Sequence, residues 1–119
     1  MQIESIISDL DLSEVEEKIR FEKQIDEELV EEAFYHYRVF LQLKRLYPDE
    51  DVVPTEIVDT IWHNHILFTE KYAKDCQTIF GRFVHHSPSL SEEAKKRVQL
   101  GQISTLKLIE KHFPELLDD

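Results

Sequence analysis

Hydrophobic residues recur at helical spacing along nearly all of this chain, and only two glycines, Gly81 and Gly101, occur in its 119 residues. A strand-rich fold needs period-two alternation bounded by turn residues, and no segment shows that pattern convincingly. The chain is therefore expected to be all-α, a single compact bundle of about five helices spanning residues 1–119. That length can bury a core without disulfide or metal staples, and an apolar content of 41% suits a globular domain.

Helix start and stop signals place the elements. Ser13-Glu14-Val15-Glu16 has the form of a capping box and opens a helix through Ile19 or Ile25. Residues 3–10 form a preceding turn of helix or, within 1–12, a loose N-terminal arm. Asp26 reads as an N-cap, with Glu27 and Glu28 well placed for the helix dipole, and the helix runs to about Leu46, ahead of Pro48. Leu29, Ala33, Phe40 and Leu43 mark one stripe on it, and Val30, Phe34, Tyr37 and Leu41 mark the neighbouring one. So broad an apolar face predicts a central helix packed on two sides. Pro54 or Thr55 starts the next helix. Thr69 can cap another, which ends at Gly81 in a left-handed conformation. Phe83 to Pro88 is expected to be irregular or extended. Ser89-Leu90-Ser91-Glu92 offers a second capping box. Gly101 is expected to break the helix that follows, before Ile103, Leu106, Ile109 and Phe113 pack in the last segment.

Charge is unevenly distributed. The net charge is −11, and residues 4–32 hold twelve acids against Lys18, Arg20 and Lys23, which leaves only −2 for the rest. A surface of that sign repels phosphates and anionic lipid, so direct binding to nucleic acid or membrane is not expected. A basic protein surface is the partner that residues 4–32 would suit; the plainer reading is a solvated acidic face. The N-terminal residues Met1-Gln2-Ile3-Glu4 have neither a basic region nor a long apolar run, and no stretch approaches the roughly 20 apolar residues of a membrane span. A lone cysteine cannot form an internal disulfide. A cytoplasmic protein is expected.

The chemistry-bearing residues are crowded. Four of the six histidines and the single cysteine fall between His63 and His86. Imidazole and thiolate are the side chains that best hold borderline-soft transition metals. On one helical wheel Val58, Trp62, His65, Thr69, Tyr72 and Cys76 form a stripe, so His65 and Cys76 point to the core, while His63 lies well round the helix beside Asp59. On an unbroken helix His65 and Cys76 would stand roughly 16 Å apart, too far to share an ion. A common site therefore requires a bend, and Phe68-Thr69 is where the helix is expected to break. His63 and His65, two residues apart, diverge by about 160° and do not chelate together on a regular helix. The competing reading makes His65 a core histidine bonded to a backbone carbonyl or a tyrosine, with Cys76 a small buried hydrophobe. A nucleophilic Cys76 paired with His65 or His86 lacks any oxyanion loop, and no phosphate-binding glycine loop exists. The chain leans away from enzyme chemistry without excluding it. His36 reads as a core or boundary residue, and His112 as a cation at a helix C-terminus.

At Val58-Asp59-Thr60-Ile61-Trp62-His63-Asn64-His65, then Tyr72, Asp75-Cys76, Phe80-Gly81 and Val84-His85-His86, the sequence resembles the glycine-rich domain-containing protein-like family. The resemblance extends upstream through Pro54 to Tyr37-Arg38-Val39-Phe40-Leu41 and covers about residues 14–90. The glycine-rich region is missing, which is the pattern of a short, bacterial-type member. The resemblance implies a helical domain, singles out His63, His65, Cys76 and His86, and favours His86 over His85. Proline near Thr69 in many relatives implies the same helix break. On this basis the expected function is transition-metal binding, zinc first, in a structural or regulatory role. Cys76, His86 and one or both of His63 and His65 would be the ligands, and Asp59, Asp75, Tyr72 or His85 outer partners or alternates. The rival expectation is a metal-free, acidic protein-interaction module with the histidines and cysteine in a hydrogen-bonded core.

Overall fold

The double apolar stripe between Asp26 and Pro48 does form the central helix. A computed structural model describes residues 1–87 and 90–117, in the order α1 (Ser5–Ser8), α2 (Ser13–Lys23), α3 (Glu27–Leu46), α4 (Glu56–Leu67), α5 (Thr69–Phe80) and α6 (Glu92–His112), with a closing 3₁₀ turn at Pro114–Leu117. No strand occurs among the described residues. Five helices are substantial and α1 is a single turn. Pro88 and Ser89 lie outside the described residues.

Helix α3 packs against α1, α2 and α4. Its buried residues run from Val30 through Ala33, Phe34 and Tyr37 to Val39–Leu43, so more than one face is covered. Leu29 is a correction: it is 52% exposed, because the first turn of α3 is covered on the side of Val30, which is fully buried, and Leu29 faces outward. The first twelve residues dock on the same helix. Ile7 and Leu12 are buried, the Arg38 guanidinium donates to the carbonyls of Ile7 and Leu10 at 2.5 and 3.1 Å, and the Gln42 side chain bonds both the backbone N–H and the carboxylate of Glu4. Arg38 thus adds a side-chain donor to the Ile7 carbonyl, which also accepts from the Leu10 N–H at 3.2 Å, and to the carbonyl of Leu10 just beyond α1.

Several caps differ from expectation by one residue. The N-cap of α2 is Leu12, while Ser13 is already helical; Asp11 accepts hydrogen bonds from the Ser13 backbone and hydroxyl at 3.0 and 2.7 Å. The helix stops at Lys23 because Gln24 turns left-handed, with φ of 49°. Asp26 and Gly81 occupy the expected cap positions, Gly81 with φ of 72°. In the second predicted box Ser91 is the N-cap, its hydroxyl accepting from the Ala94 N–H at 3.0 Å.

The break expected near Phe68-Thr69 is present and sharp. Phe68 alone separates α4 from α5, with ψ of 71°, closing one helix and opening the next. Thr69 is the first helical residue, not the cap. The two helices fold back on each other, and α5 also meets α1.

Gly101 does not break α6, which continues through it to His112. The reason is a close approach. A Cβ on Gly101 would lie 2.6 Å from Val53 Cγ2 and 2.9 Å from the Asp51 carbonyl oxygen. One turn later the Thr105 hydroxyl accepts from the Val53 N–H at 2.8 Å. These contacts and the buried Phe113 anchor α6, and Ile103 and Leu106, expected in the core, are exposed. Gly101→Ala is expected to destabilise the fold by about 1–3 kcal/mol, since a methyl there displaces backbone as well as a side chain. Urea denaturation would check this; an unchanged midpoint would mean that the loop at 51–53 yields freely.

Candidate functional site

The corner at Phe68 brings α5 back beside α4 and divides the predicted site residues into two groups. One group is internal. His65, 1% exposed, is bonded on both ring nitrogens: Nδ1 is 2.7 Å from the Tyr37 hydroxyl on α3, and Nε2 is 2.8 Å from Asp75 Oδ2 on α5. Lys71 Nζ approaches the same carboxylate oxygen at 3.0 Å. Burial pushes the His65 pKa below its ordinary value, overcoming the opposing pull of Asp75, so the ring is favoured as neutral. A carboxylate held by Lys71 accepts from Nε2–H, which leaves Nδ1 to accept from the Tyr37 O–H. Burial also raises the Tyr37 pKa well above its usual value and keeps it a donor.

A second chain of bonds lies alongside. The Trp62 indole N–H donates to the Tyr72 hydroxyl at 2.9 Å, and that hydroxyl donates to the Val84 carbonyl at 2.6 Å. Burial raises the pKa of Tyr72 as well. Cys76 is buried beside Tyr72, a free thiol in the core. Asn64 was not singled out by sequence reasoning. It is buried, donating to the Thr60 carbonyl and accepting from Lys18 Nζ at 2.6 Å, which ties α2 to α4.

The other group borders a cleft of about 990 Å3 between α4, the loop 50–54, residues 86–87 and the first half of α6. His86 stacks on the Trp62 indole with centroids 4.1 Å apart and planes 7° from parallel, and its Nε2 lies 2.7 Å from Asp59 Oδ1. His63 is exposed on the same cleft, one helical turn from Asp59. Lys44 Nζ sits 5.3 Å from the Trp62 ring centroid and 5.5 Å from that of Phe40, with its pKa lowered by burial and then by Arg82. His85 is exposed and packs edge-on against Phe83. His112 lies in the last turn of α6, where it was expected, and its Nε2 is 2.5 Å from the Tyr47 hydroxyl; desolvation lowers its pKa.

The four predicted ligands are thus not gathered into one sphere. His65 and Cys76 are internal, with both His65 nitrogens committed, while His63 and His86 line the cleft. Among the described residues no set of three or more His, Cys, Asp or Glu is placed to hold an ion. Asp75 and Asp59 are direct hydrogen-bond partners of His65 and His86. Neither pairing has a signal in local spacing, because each crosses the corner or the loop after it.

The sequence profile of the UCP032817-like family matches residues 4–109, from just before α1 into the last turn of α6. The chain belongs to that family. It is also similar to glycine-rich domain-containing proteins 1 and 2 of Arabidopsis thaliana, at 30% and 29% identity over 89 residues. These alignments cover 71% of this chain and 11% of each relative, so the chain spans about a tenth of their length. The family resemblance read from the Trp-His-Asn-His and Asp-Cys motifs holds. No solved structure matches.

Two measurements probe the internal group. Tyr37→Phe strands the acceptor nitrogen of His65 and is expected to cost about 1–3 kcal/mol in urea unfolding. The lowered His65 pKa also sets a pH dependence. The unfolded chain takes up the His65 proton first, so this contribution is complete above about pH 6.5 and is lost as pH falls toward the lower folded-state pKa. Stability of the wild type should fall more between pH 7.5 and 5 than that of His65→Gln; equal slopes would show that another group carries the effect.

Proposed function

We propose that this domain is a metal-free protein-interaction module, in which the histidine and cysteine cluster fixes the fold and the acidic helices α2 and α3 meet a basic partner. The observation that carries this reading is that both ring nitrogens of the buried His65 are committed to partners within the fold. Among the described residues no buried side-chain nitrogen or oxygen lacks a hydrogen-bond partner. A ligand histidine needs a free lone pair, and His65 has none to offer.

The surface supports the same reading. Phe21 is 84% exposed at the end of α2, on one stripe with the exposed Glu14 and Glu17. On α3 the exposed Leu29 is flanked by Glu28 and Glu32. Apolar anchors within a charged surround are how interfaces combine affinity with orientation, and acids of one sign select a basic partner and speed its approach. No helix among the described residues is long and apolar enough to cross a membrane. A cytoplasmic setting fits the lone thiol.

Zinc binding is a second reading, favoured by one observation: Asp59, His63 and His86 line the same cleft. A carboxylate and two imidazoles suit zinc in kind, although as they stand these three do not converge on one point. Occupancy would require His86 to give up its bond to Asp59 and would leave His65 and Cys76 in the core, reducing the four-ligand expectation to a cleft site.

Metal analysis of untagged protein separates the two. The interaction reading expects below about 0.2 equivalents of any metal and melting unaffected by chelator; stoichiometric zinc lost on His63→Ala would establish the cleft site instead. A lysine- and arginine-rich amphipathic probe peptide is expected to bind α2–α3 with affinity that falls as salt rises and on Phe21→Ala. Binding indifferent to both changes would remove the acidic-face reading.

A further inference from the structure

A pocket of about 360 Å3 lies between the C-terminal ends of α3 and α5, within the size range of small-ligand sites. Leu46, Pro48, Ile79 and Phe80 form its apolar part, and Lys44, Arg45 and Arg82 bring three cations to it. Glu4 is the one acid among its lining residues, and it is already held. Its carboxylate accepts from Arg45 Nε at 2.8 Å and from Gln42 Nε2 at 3.2 Å. Arg45 is committed as well, since it also donates to the Ile79 carbonyl at the end of α5. Three cations against one acid leave +2, carried by Lys44 and Arg82, in a chain whose net charge is −11.

Helix C-termini attract cations, and Arg45 meets that demand at α5. Lys44 does not meet it at α3. Its ammonium stands 5.5 Å from the Phe40 ring centroid, one turn back along the helix, and 5.3 Å from that of Trp62. The two rings fix where the ammonium lies without neutralising it. Lys44 is half-buried, yet among the described residues neither it nor Arg82 has a carboxylate at ion-pair distance. Burial first and Arg82 second lower the Lys44 pKa, opposed by the field of Asp51, which lines the neighbouring cleft. Two like charges side by side in a partly desolvated place carry a cost that a bound anion removes.

We propose that this pocket binds the phosphate monoester of a small organic molecule, with the phosphoryl group between Lys44 and Arg82 and the organic part on the apolar wall. Charge selects the head group. A phosphate monoester carries about −1.5 to −2 near neutral pH and matches two free cations, whereas a carboxylate would leave one unmatched. The chemistry of the two side chains agrees: a planar guanidinium takes two phosphate oxygens in parallel, and an ammonium serves as a point charge. The apolar wall selects an ester over the bare ion, because it gains nothing from inorganic phosphate. The charge of the whole chain repels anions at a distance, but at physiological salt that field is screened beyond roughly 8 Å. Inside that distance the pocket's own acid is paired with Arg45. The site stands apart from the acidic residues of α2 and of the first turns of α3, and it does not depend on what they meet.

The test is a titration of the full chain with phenyl phosphate, from about 10 µM to 10 mM at constant ionic strength, followed by the backbone amide resonances in nuclear magnetic resonance spectra. Saturable one-to-one binding with a Kd of roughly 0.1–5 mM is expected. The resonances of Leu46 and of residues 79–82 should move while those of α2 stay in place. Inorganic phosphate and benzoate are each expected to bind at least about tenfold more weakly, the first for want of an apolar body and the second for want of charge. Arg82→Gln alters an exposed position, and Lys44→Met keeps an apolar stem on the two rings. Each variant is expected to lose at least about tenfold in affinity for phenyl phosphate, with its helix content by circular dichroism unchanged. No saturation by about 10 mM overturns the proposal. So does benzoate or inorganic phosphate binding as tightly as the ester, or shifts that fall outside the pocket. Unaltered affinity in Arg82→Gln overturns it too, whether or not Lys44→Met folds. None of these outcomes bears on the acidic-face reading, which the basic peptide tests separately.

Discussion

The hydrogen bonds on the two nitrogens of His65 hold three helices in one arrangement. Tyr37 comes from the centre of α3, His65 from the end of α4 and Asp75 from the middle of α5. Each bond satisfies a polar group that would otherwise be buried unpaired, a cost of about 1–3 kcal/mol apiece. The arrangement depends in turn on the reversal at Phe68. On a straight helix Asp75 would lie about 15 Å beyond His65, out of reach. Network and corner therefore require each other, and a corner specified by a buried polar network is more narrowly defined than one left to apolar packing.

From that corner the rest of the site follows. Folding α5 back on α4 sets Tyr72 beside Trp62, and the Tyr72 hydroxyl takes the indole N–H while donating to the Val84 carbonyl. The chain leaving Gly81 is thereby pinned over α4, and two residues later His86 reaches the Trp62 face and Asp59. The cleft wall is thus a consequence of packing inside the corner. Its opposite wall belongs to α6, whose distance is set by a glycine: Gly101 lets the helix backbone approach Asp51 and Val53, and the turns before it stand clear of α4.

Much of this was legible in the sequence, for identifiable reasons. Caps are local, so the left-handed Gly81 and the span of α3 could be read from neighbouring residues. The reversal at Phe68-Thr69 was expected instead from the need to bring His65 and Cys76 together, with Thr69 as its local cap signal, and the cap proves to be Phe68. What failed depended on distant parts of the chain. Gly101 looks like a helix breaker because its propensity is poor, but its position is dictated by a loop fifty residues earlier. Ile103, Leu106 and Leu29 have the right spacing for a core face, yet periodicity defines a face without saying what covers it. Asp75 and Asp59 were placed near the histidines, but as outer partners of a metal. The reading of His65 as a core histidine bonded to a tyrosine holds, with Tyr37 of α3 as that tyrosine, whereas its bond to Asp75 and that of His86 to Asp59 emerge only once the corner is folded.

The same division bears on where function resides. A histidine cluster invites a chemical explanation, because imidazole is versatile and scarce. Here the imidazole with the deepest burial has a lowered pKa and two partners, the condition of a structural group. The large exposed apolar side chains are elsewhere: Phe21 and Leu29 beside carboxylates, and Leu100, Ile103 and Leu106 on a face of α6 that carries both lysines and glutamates. Burying those apolar groups is favourable in a partner and impossible within one copy, because their helices are already fixed on their other faces by α4 and by the loop at 51–53. A core that fixes helix orientation so tightly also fixes the spacing of the surface stripes. The corner that His65 holds thus fixes, from the interior, where the side chains on the outer faces of these helices stand.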